Sequence, residues 1–186
     1  MVPDRAIAHF PDCRWRPAAA HRPAMSAAWW QWVASCDSLT ARLVAAADGR
    51  AFRVKLLDQR LGQPRLDEAL ALGLPQRQVA WLRQVALCVD ERPWVVARSV
   101  APLAQLRGQR LERLGERSLG SWLFRQPGLK RSPIDVSADA APFTTGDLPC
   151  HGPWGRRSVF RHGDFAVLVQ EFFLDTMADE LALPPR

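Results

Sequence analysis

Residues 79–102 read VAWLRQVALCVDERPWVVARSVAP. Two runs rich in β-branched and aromatic residues flank Asp90-Glu91-Arg92, which predicts a β-hairpin. Strand side chains alternate between two faces. In the first run Val79, Trp81, Arg83, Val85, Leu87 and Val89 share one face, and Ala80, Leu82, Gln84, Ala86 and Cys88 share the other. Arg83 therefore stands in the middle of the more apolar stripe, where an unpaired guanidinium costs several kcal/mol. Its partner is the question the sequence raises.

The same test finds two more charges on apolar stripes. In the second run Arg98 shares a face with Trp94, Val96 and Val100. Near the end of the chain, in FAVLVQEFFL, Glu171 shares a face with Phe165, Val167, Val169 and Phe173. Three arrangements fit. Arg83 or Arg98 pairs with Glu171 inside the sheet, the whole stripe faces water, or the three charges line an apolar ligand cavity. In a cavity, arginine binds carboxylates through two parallel hydrogen bonds. Two arginines suit an anion, including one with two carboxylates. A glutamate in an apolar site is pushed toward its neutral form and can donate to a hydroxyl or exchange a proton. With Trp81, Trp94 and Phe173 as walls, the expected ligand is a small ring bearing a carboxylate and a hydroxyl.

Outward from the hairpin, Ser26 caps an expected helix through AAWWQWVAS, with its tryptophans serving the core. Asp37-Ser38 opens a second helix, LTARLVAAA, closed by Asp48-Gly49. AFRVKLLDQRL reads as a strand, and 62–77 as a loop with a short helical piece. Segments 103–114 and 118–125 read as helical, LKRSPIDVS as a strand, and 138–153 as a loop. RRSVFRH, a Gly163-Asp164 turn and FAVLVQEFFL form a second hairpin. The order predicts one α+β domain with an antiparallel sheet, preceded by an irregular lead-in over 1–25 and followed by a tail over 179–186.

The totals narrow the class. A chain of 186 residues can enclose a core and a closed pocket. The net charge of +6 and isoelectric point near 10.1 invite nucleic acid as a partner. However, Lys55 and Lys130 are the only lysines among 25 basic residues, and the 23 arginines are scattered without a basic run. A compositional bias explains this better than a basic patch, so no nucleic-acid partner is expected. Cys13, Cys36, Cys88 and Cys150 make no CxxC pair, and Cys150-His151 with His162 falls short of a zinc site. Reduced cysteines, no metal and a cytoplasmic setting are expected. The N-terminus has no apolar h-region, and no run of 18 apolar residues exists to span a membrane.

Several ordered motifs resemble the chorismate–pyruvate lyase family. They are Cys88-x-Asp90-x-x-Pro93-Trp94 followed by Arg98-Ser99 and Pro102; Leu114-Gly115, Leu119-Gly120 and Leu123-Phe124; and Trp154-Gly155-Arg156-Arg157-Ser158 followed by Glu171-Phe172-Phe173-Leu174. The resemblance spans roughly residues 28–175. It implies a single α+β domain whose antiparallel sheet carries helical flaps over an enclosed ligand. It also implies conversion of chorismate to 4-hydroxybenzoate and pyruvate, the first step of ubiquinone synthesis, by a monomer without metal or organic cofactor. The family's ligand-binding arginine falls on Arg83, its binding glutamate on Glu171, and two backbone contacts on Leu39 and Leu119. Arg83 then clamps the ring carboxylate, and Glu171 meets the 4-hydroxyl and helps a proton leave. Arg98 is assigned to the second carboxylate by the face test alone. Arg156 and Arg157 are read as structural or solvated.

Two departures stand out. Leu39 replaces the methionine of the best-known members, and the lead-in and the 138–153 loop are longer than the family implies. The resemblance also allows a non-enzyme, since the same fold serves as a small-molecule sensor in bacterial transcription regulators. Those carry a DNA-binding domain ahead of the sensor, and about 25 residues before the first expected helix are too few for one.

Overall fold

A computed structural model describes residues 13–75, 77–106, 115–143, 148 and 151–184. Its centre is the expected hairpin, β3 (Ala80–Val89) and β4 (Arg92–Pro102). Asp90 and Glu91 turn it with φ of 46° and 64°, the left-handed pair that a two-residue hairpin of matching twist requires. Neither is glycine, and the Asp90 carboxylate supports the turn by accepting from Ala51 N at 3.1 Å. The strand AFRVKLLDQRL is β2 (Phe52–Gly62), on the outer side of β3.

The second hairpin, β7 (Trp154–His162) and β8 (Phe165–Phe173), lies on the other side of β4. Gly163 opens its turn at φ 55°. Gly155 is a glycine for a local reason. It stands opposite Phe172, whose ring would lie 2.6 Å from any added Cβ. The sheet is antiparallel throughout and runs β1 (Arg16–Pro17), β6 (Asp135–Ser137), β7, β8, β4, β3, β2.

LKRSPIDVS is not one strand. Ser132-Pro133-Ile134 divides it into β5 (Lys130–Arg131) and β6 (Asp135–Ser137), both on β7. Proline has no N–H for the ladder, so pairing stops there. The described part of the lead-in is also more regular than expected. β1 (Arg16–Pro17) pairs with β6, α1 covers Ala18–His21, a 3-10 turn covers Arg22–Ala24, and Cys13 and Met25 are buried. Residues 1–12 lie outside the described residues. So do 107–114, most of the first expected Arg- and Leu-rich helix, of which Leu103–Gln105 is a 3-10 turn.

The remaining helices follow their caps. Ser26 Oγ accepts from Trp29 N at the start of α2 (Ala27–Val33). Ser38 does the same for α3 (Leu39–Ala46), which ends before left-handed Asp48 and Gly49. α4 (Leu66–Leu72) is closed by left-handed Gly73. α5 (Leu119–Leu123) starts at the Ser118 cap. α6 (Asp175–Glu180) runs from the end of the expected domain into the expected tail, and both are packed. Glu180 accepts from Arg50 at 2.6 Å and from Trp94 Nε1 at 3.1 Å, and Pro184 O accepts from Trp29 Nε1 at 2.7 Å.

Both faces of the sheet are covered, so β3 is buried along its whole length. On the face under α2, α3 and α5, one apolar cluster gathers around Trp29, Leu43, Trp94 and Phe173, and another around Trp81, Leu119, Leu123 and Phe165. On the opposite face, clusters form around Phe143 and Phe172 and around Leu72 and Leu168. Between each pair of clusters runs a band of polar and charged residues. Among the described residues no helix is long and apolar enough to cross a membrane.

Candidate active site

The front band opens into a cavity of about 580 Å³ of empty space, part of it continuous with solvent. The sheet forms its floor with Arg83, Val85, Ala97, Ser99, Val169 and Glu171. Its roof comes from the starts of two helices, Leu39 and Thr40 of α3, and Ser118, Leu119 and Leu123 around α5. A hydrogen bond of 2.7 Å joins the hydroxyls of Thr40 and Ser118 and ties one roof helix to the other. Arg131, Arg156 and Phe160 complete the lining.

Arg83 enters this cavity from the centre of β3 and is 2% exposed. Its Nη2 donates to the carbonyls of Gly115 at 2.8 Å and Arg117 at 2.9 Å, in the segment that leads into α5. Its Nε has no hydrogen-bond partner. No carboxylate pairs with it among the described residues. Burial alone pushes its pKa down to about 10, so it still carries its charge at neutral pH. A charged, buried and incompletely bonded guanidinium in an apolar cavity has the chemistry to receive an anion.

Glu171 lies on β8, two strands away from Arg83 through β4. Adjacent strands lie about 5 Å apart, and Glu171 is level with Val85 rather than Arg83, so the two backbones are separated by about 12 Å. That separation suits a six-membered ring with polar groups at opposite ends. Glu171 stands directly across from Arg156 and accepts from its Nε at 2.6 Å, with side chains 17% and 2% exposed. Arg156 Nη1 also donates to the carbonyls of Trp32 at 2.9 Å, in the last turn of α2, and of Ser35 at 3.0 Å, just past its end. The glutamate is thus held by a cation that is itself locked to the backbone.

The structure therefore brings Arg83, Glu171, Leu39 and Leu119 to one cavity. It does not bring Arg98. A bulge shifts the β3–β4 register between Leu87 and Cys88, so Arg83 faces Ser99 while Arg98 faces Gln84. Arg98 points through the opposite face. There Glu68 of α4 accepts from its Nε at 2.6 Å and its Nη2 at 3.1 Å. Gln170 joins the same carboxylate at 2.6 Å. The assignment of Arg98 to a second carboxylate is corrected to a buried ion pair behind the sheet. The expected walls are corrected as well. Trp81, Trp94 and Phe173 sit in the flanking clusters, and Val85, Leu123, Phe160 and Val169 line the cavity instead.

Arg156 is the site residue that sequence reasoning passed over. The signal was present. Counting outward from the Gly163-Asp164 turn, with His162 opposite Phe165, puts Arg156 opposite Glu171. Its neighbour Arg157 faces the other way and binds Asp67 at 3.2 Å and Asp135 at 3.3 Å.

Comparison with known proteins agrees on the family. The chorismate lyase family model matches residues 12–179. A protein of Chromohalobacter salexigens named "Probable chorismate pyruvate-lyase" is 57% identical over 190 residues, covering 100% of both chains. One from Pseudomonas aeruginosa with the same name is 42% identical, covering 82% of this chain and 86% of its own. Among solved structures, the PhnF C-terminal domain has a TM-score of 0.55 at 19% identity, covering 71% of this chain and 88% of that one. The effector domain of PhnF from Mycobacterium smegmatis has a TM-score of 0.52 at 15% identity, covering 72% and 87%. These last two share the fold alone. By the span of the family match and the full-length relative, the chain belongs to the chorismate lyase family.

Proposed function

We propose that this protein eliminates pyruvate from chorismate to give 4-hydroxybenzoate. The observation that carries the reading is Arg83, a buried cation in an apolar cavity with no carboxylate of its own among the described residues. The ring carboxylate of chorismate would supply it. Glu171 would accept the 4-hydroxyl, and the backbone amides of Leu39 and Leu119 at the roof would complete the polar contacts.

The elimination needs no external reagent. The C4–H bond breaks, and its electron pair forms the last ring double bond between C3 and C4. The C3–O bond breaks in turn, and its pair leaves with the enolpyruvate oxygen. Enolpyruvate takes up a proton at its methylene carbon and becomes pyruvate. Glu171, beside the 4-hydroxyl, is the group placed to receive the C4 proton. Aromatisation drives the reaction, so the protein's part is to orient the ring and exclude water. The reading calls for no cofactor. Supply of 4-hydroxybenzoate for ubiquinone synthesis, in the cytoplasm and by a monomer, is the setting that goes with it.

Mixing the purified protein with chorismate in metal-free buffer tests the reading. Formation of 4-hydroxybenzoate and pyruvate in equal amounts is expected, followed by chromatography and absorbance. Tight binding of 4-hydroxybenzoate without turnover would instead assign the protein to the sensors of the same fold. Glu171→Gln separates the two roles of that residue. It keeps a hydrogen-bonding partner for the ligand hydroxyl and removes the base. We expect kcat to fall by about 10²- to 10⁴-fold, the usual span for a general base, with 4-hydroxybenzoate still bound. An unchanged kcat would leave Glu171 with no part in proton transfer.

A further inference from the structure

Chorismate carries two carboxylates, and the site as described accounts for one. Arg83 meets the ring carboxylate, Arg156 is neutralised by Glu171, and Arg98 lies on the other face. Arg131, at the end of β5, has not been given a role. It lines the active-site cavity and also a second cavity next to it, bounded by Trp30, Cys36 and Leu129. Phe124 and Phe160 line both cavities as well, so these three side chains form the boundary between them.

Arg131 is held in place from three sides. Its Nε donates to Ser158 Oγ at 3.0 Å, its Nη1 donates to Ser35 O at 3.1 Å, and its guanidinium lies 5.1 Å from the centre of the Phe160 ring. All of these partners are neutral. Among the described residues no hydrogen bond falls on Nη2 and no carboxylate forms an ion pair with the group. The side chain is thus fixed, charged and unbalanced at the point where the two cavities meet. Burial, with Arg156 nearby adding to it, lowers its proton affinity, while Glu171 works in the opposite sense. An incoming anion would relieve that imbalance.

We propose that Arg131 receives the second carboxylate of chorismate, on the enolpyruvyl arm, and that the arm occupies the junction between the two cavities. The inference rests on the chorismate reading above. It names the subsite that separates substrate from aromatic product, because 4-hydroxybenzoate has no second carboxylate and gains nothing from Arg131.

Arg131→Met tests it, since methionine keeps an apolar stem against Phe160 and removes the charge. KM for chorismate should rise about 10- to 100-fold, the range expected for losing a hydrogen bond to a charged group. The dissociation constant of 4-hydroxybenzoate should change by less than about twofold. If both constants rise together, Arg131 is structural and the inference fails. It fails equally if neither moves. Wild-type protein supplies a second measurement that does not depend on how the variant folds. A 4-hydroxybenzoate with a carboxymethoxy group at position 3 should bind more tightly than its neutral methoxy counterpart. Equal or weaker binding would overturn the proposal. Wild-type protein that neither turns over chorismate nor binds 4-hydroxybenzoate would overturn the functional reading itself, a result distinct from both.

Discussion

Replacing Arg83 with methionine is expected to lower kcat/KM for chorismate by about 10²- to 10³-fold and to abolish the stabilisation of the protein by 4-hydroxybenzoate. Truncating one partner of a buried, hydrogen-bonded charge pair costs about 2–5 kcal/mol, and each 1.36 kcal/mol is about tenfold in rate. The fold should survive. Gly115 and Arg117, whose carbonyls Arg83 holds, are exposed, so water can replace the lost donor. The free protein also no longer buries a charge that lacks a carboxylate. Arg83→Lys should recover little, because an ammonium cannot hold the Gly115 and Arg117 carbonyls with one nitrogen and offer another to a carboxylate, as the guanidinium does. The check is turnover together with thermal melts, with and without 4-hydroxybenzoate. Ligand at 100 times its dissociation constant should add about 2.7 kcal/mol to the wild type and nothing to the variant. Wild-type turnover in a folded Arg83→Met protein would remove the carboxylate-clamp role.

The second large effect concerns stability rather than turnover. Glu68 is fully buried and gathers four donor contacts, two from Arg98, one from Gln170 Nε2 and one from Arg65 N at 2.8 Å. Glu68→Ala takes away the carboxylate that faces Arg98, and breaking a buried pair in this way costs about 3–5 kcal/mol. That is a large part of the roughly 5–15 kcal/mol that holds an ordinary domain together. Urea or thermal denaturation measures it. The double variant Glu68→Leu with Arg98→Met should recover most of the loss, since an apolar pair of similar size needs no charge balance. Because this pair lies behind the sheet, the folded fraction of either variant should keep kcat. A large fall in kcat from the double variant, with stability restored, would return Arg98 to the reaction.

The two predictions concern arginines that look alike in the sequence. Each stands mid-strand on an apolar stripe, and each is nearly fully buried in the fold. One lines the cavity and the other an internal ion pair. The difference is a single bulge. If the first hairpin kept the register set at its turn, where Val89 faces Arg92 and Cys88 faces Pro93, Arg83 would face Arg98. The shift after Cys88 makes Leu87 face Val95, and Arg83 then faces Ser99. A one-residue slip moves every later side chain of a strand to the other face. The second hairpin has no such shift, so counting from its turn pairs Arg156 with Glu171 correctly.

The α+β class, the two hairpins, the serine caps of α2 and α3, and the sharing of faces along β3 and β8 are legible in the sequence, whereas along β4 the bulge moves Trp94 to the helix-side cluster, away from Arg98. Alternation along a strand and a side chain that caps its own helix are local consequences of backbone geometry, legible over a few residues. The family resemblance placed Arg83, Glu171, Leu39 and Leu119 in the same set. Which face of β4 looks into the cavity, the meeting of Glu68 on a distant helix with Arg98, and the presence of Arg156 and Arg131 in the cavity lining emerge only in the folded chain. Those outcomes depend on register between strands and on which helix covers which face. Both are set by contacts between residues far apart in the chain, and no local pattern encodes them.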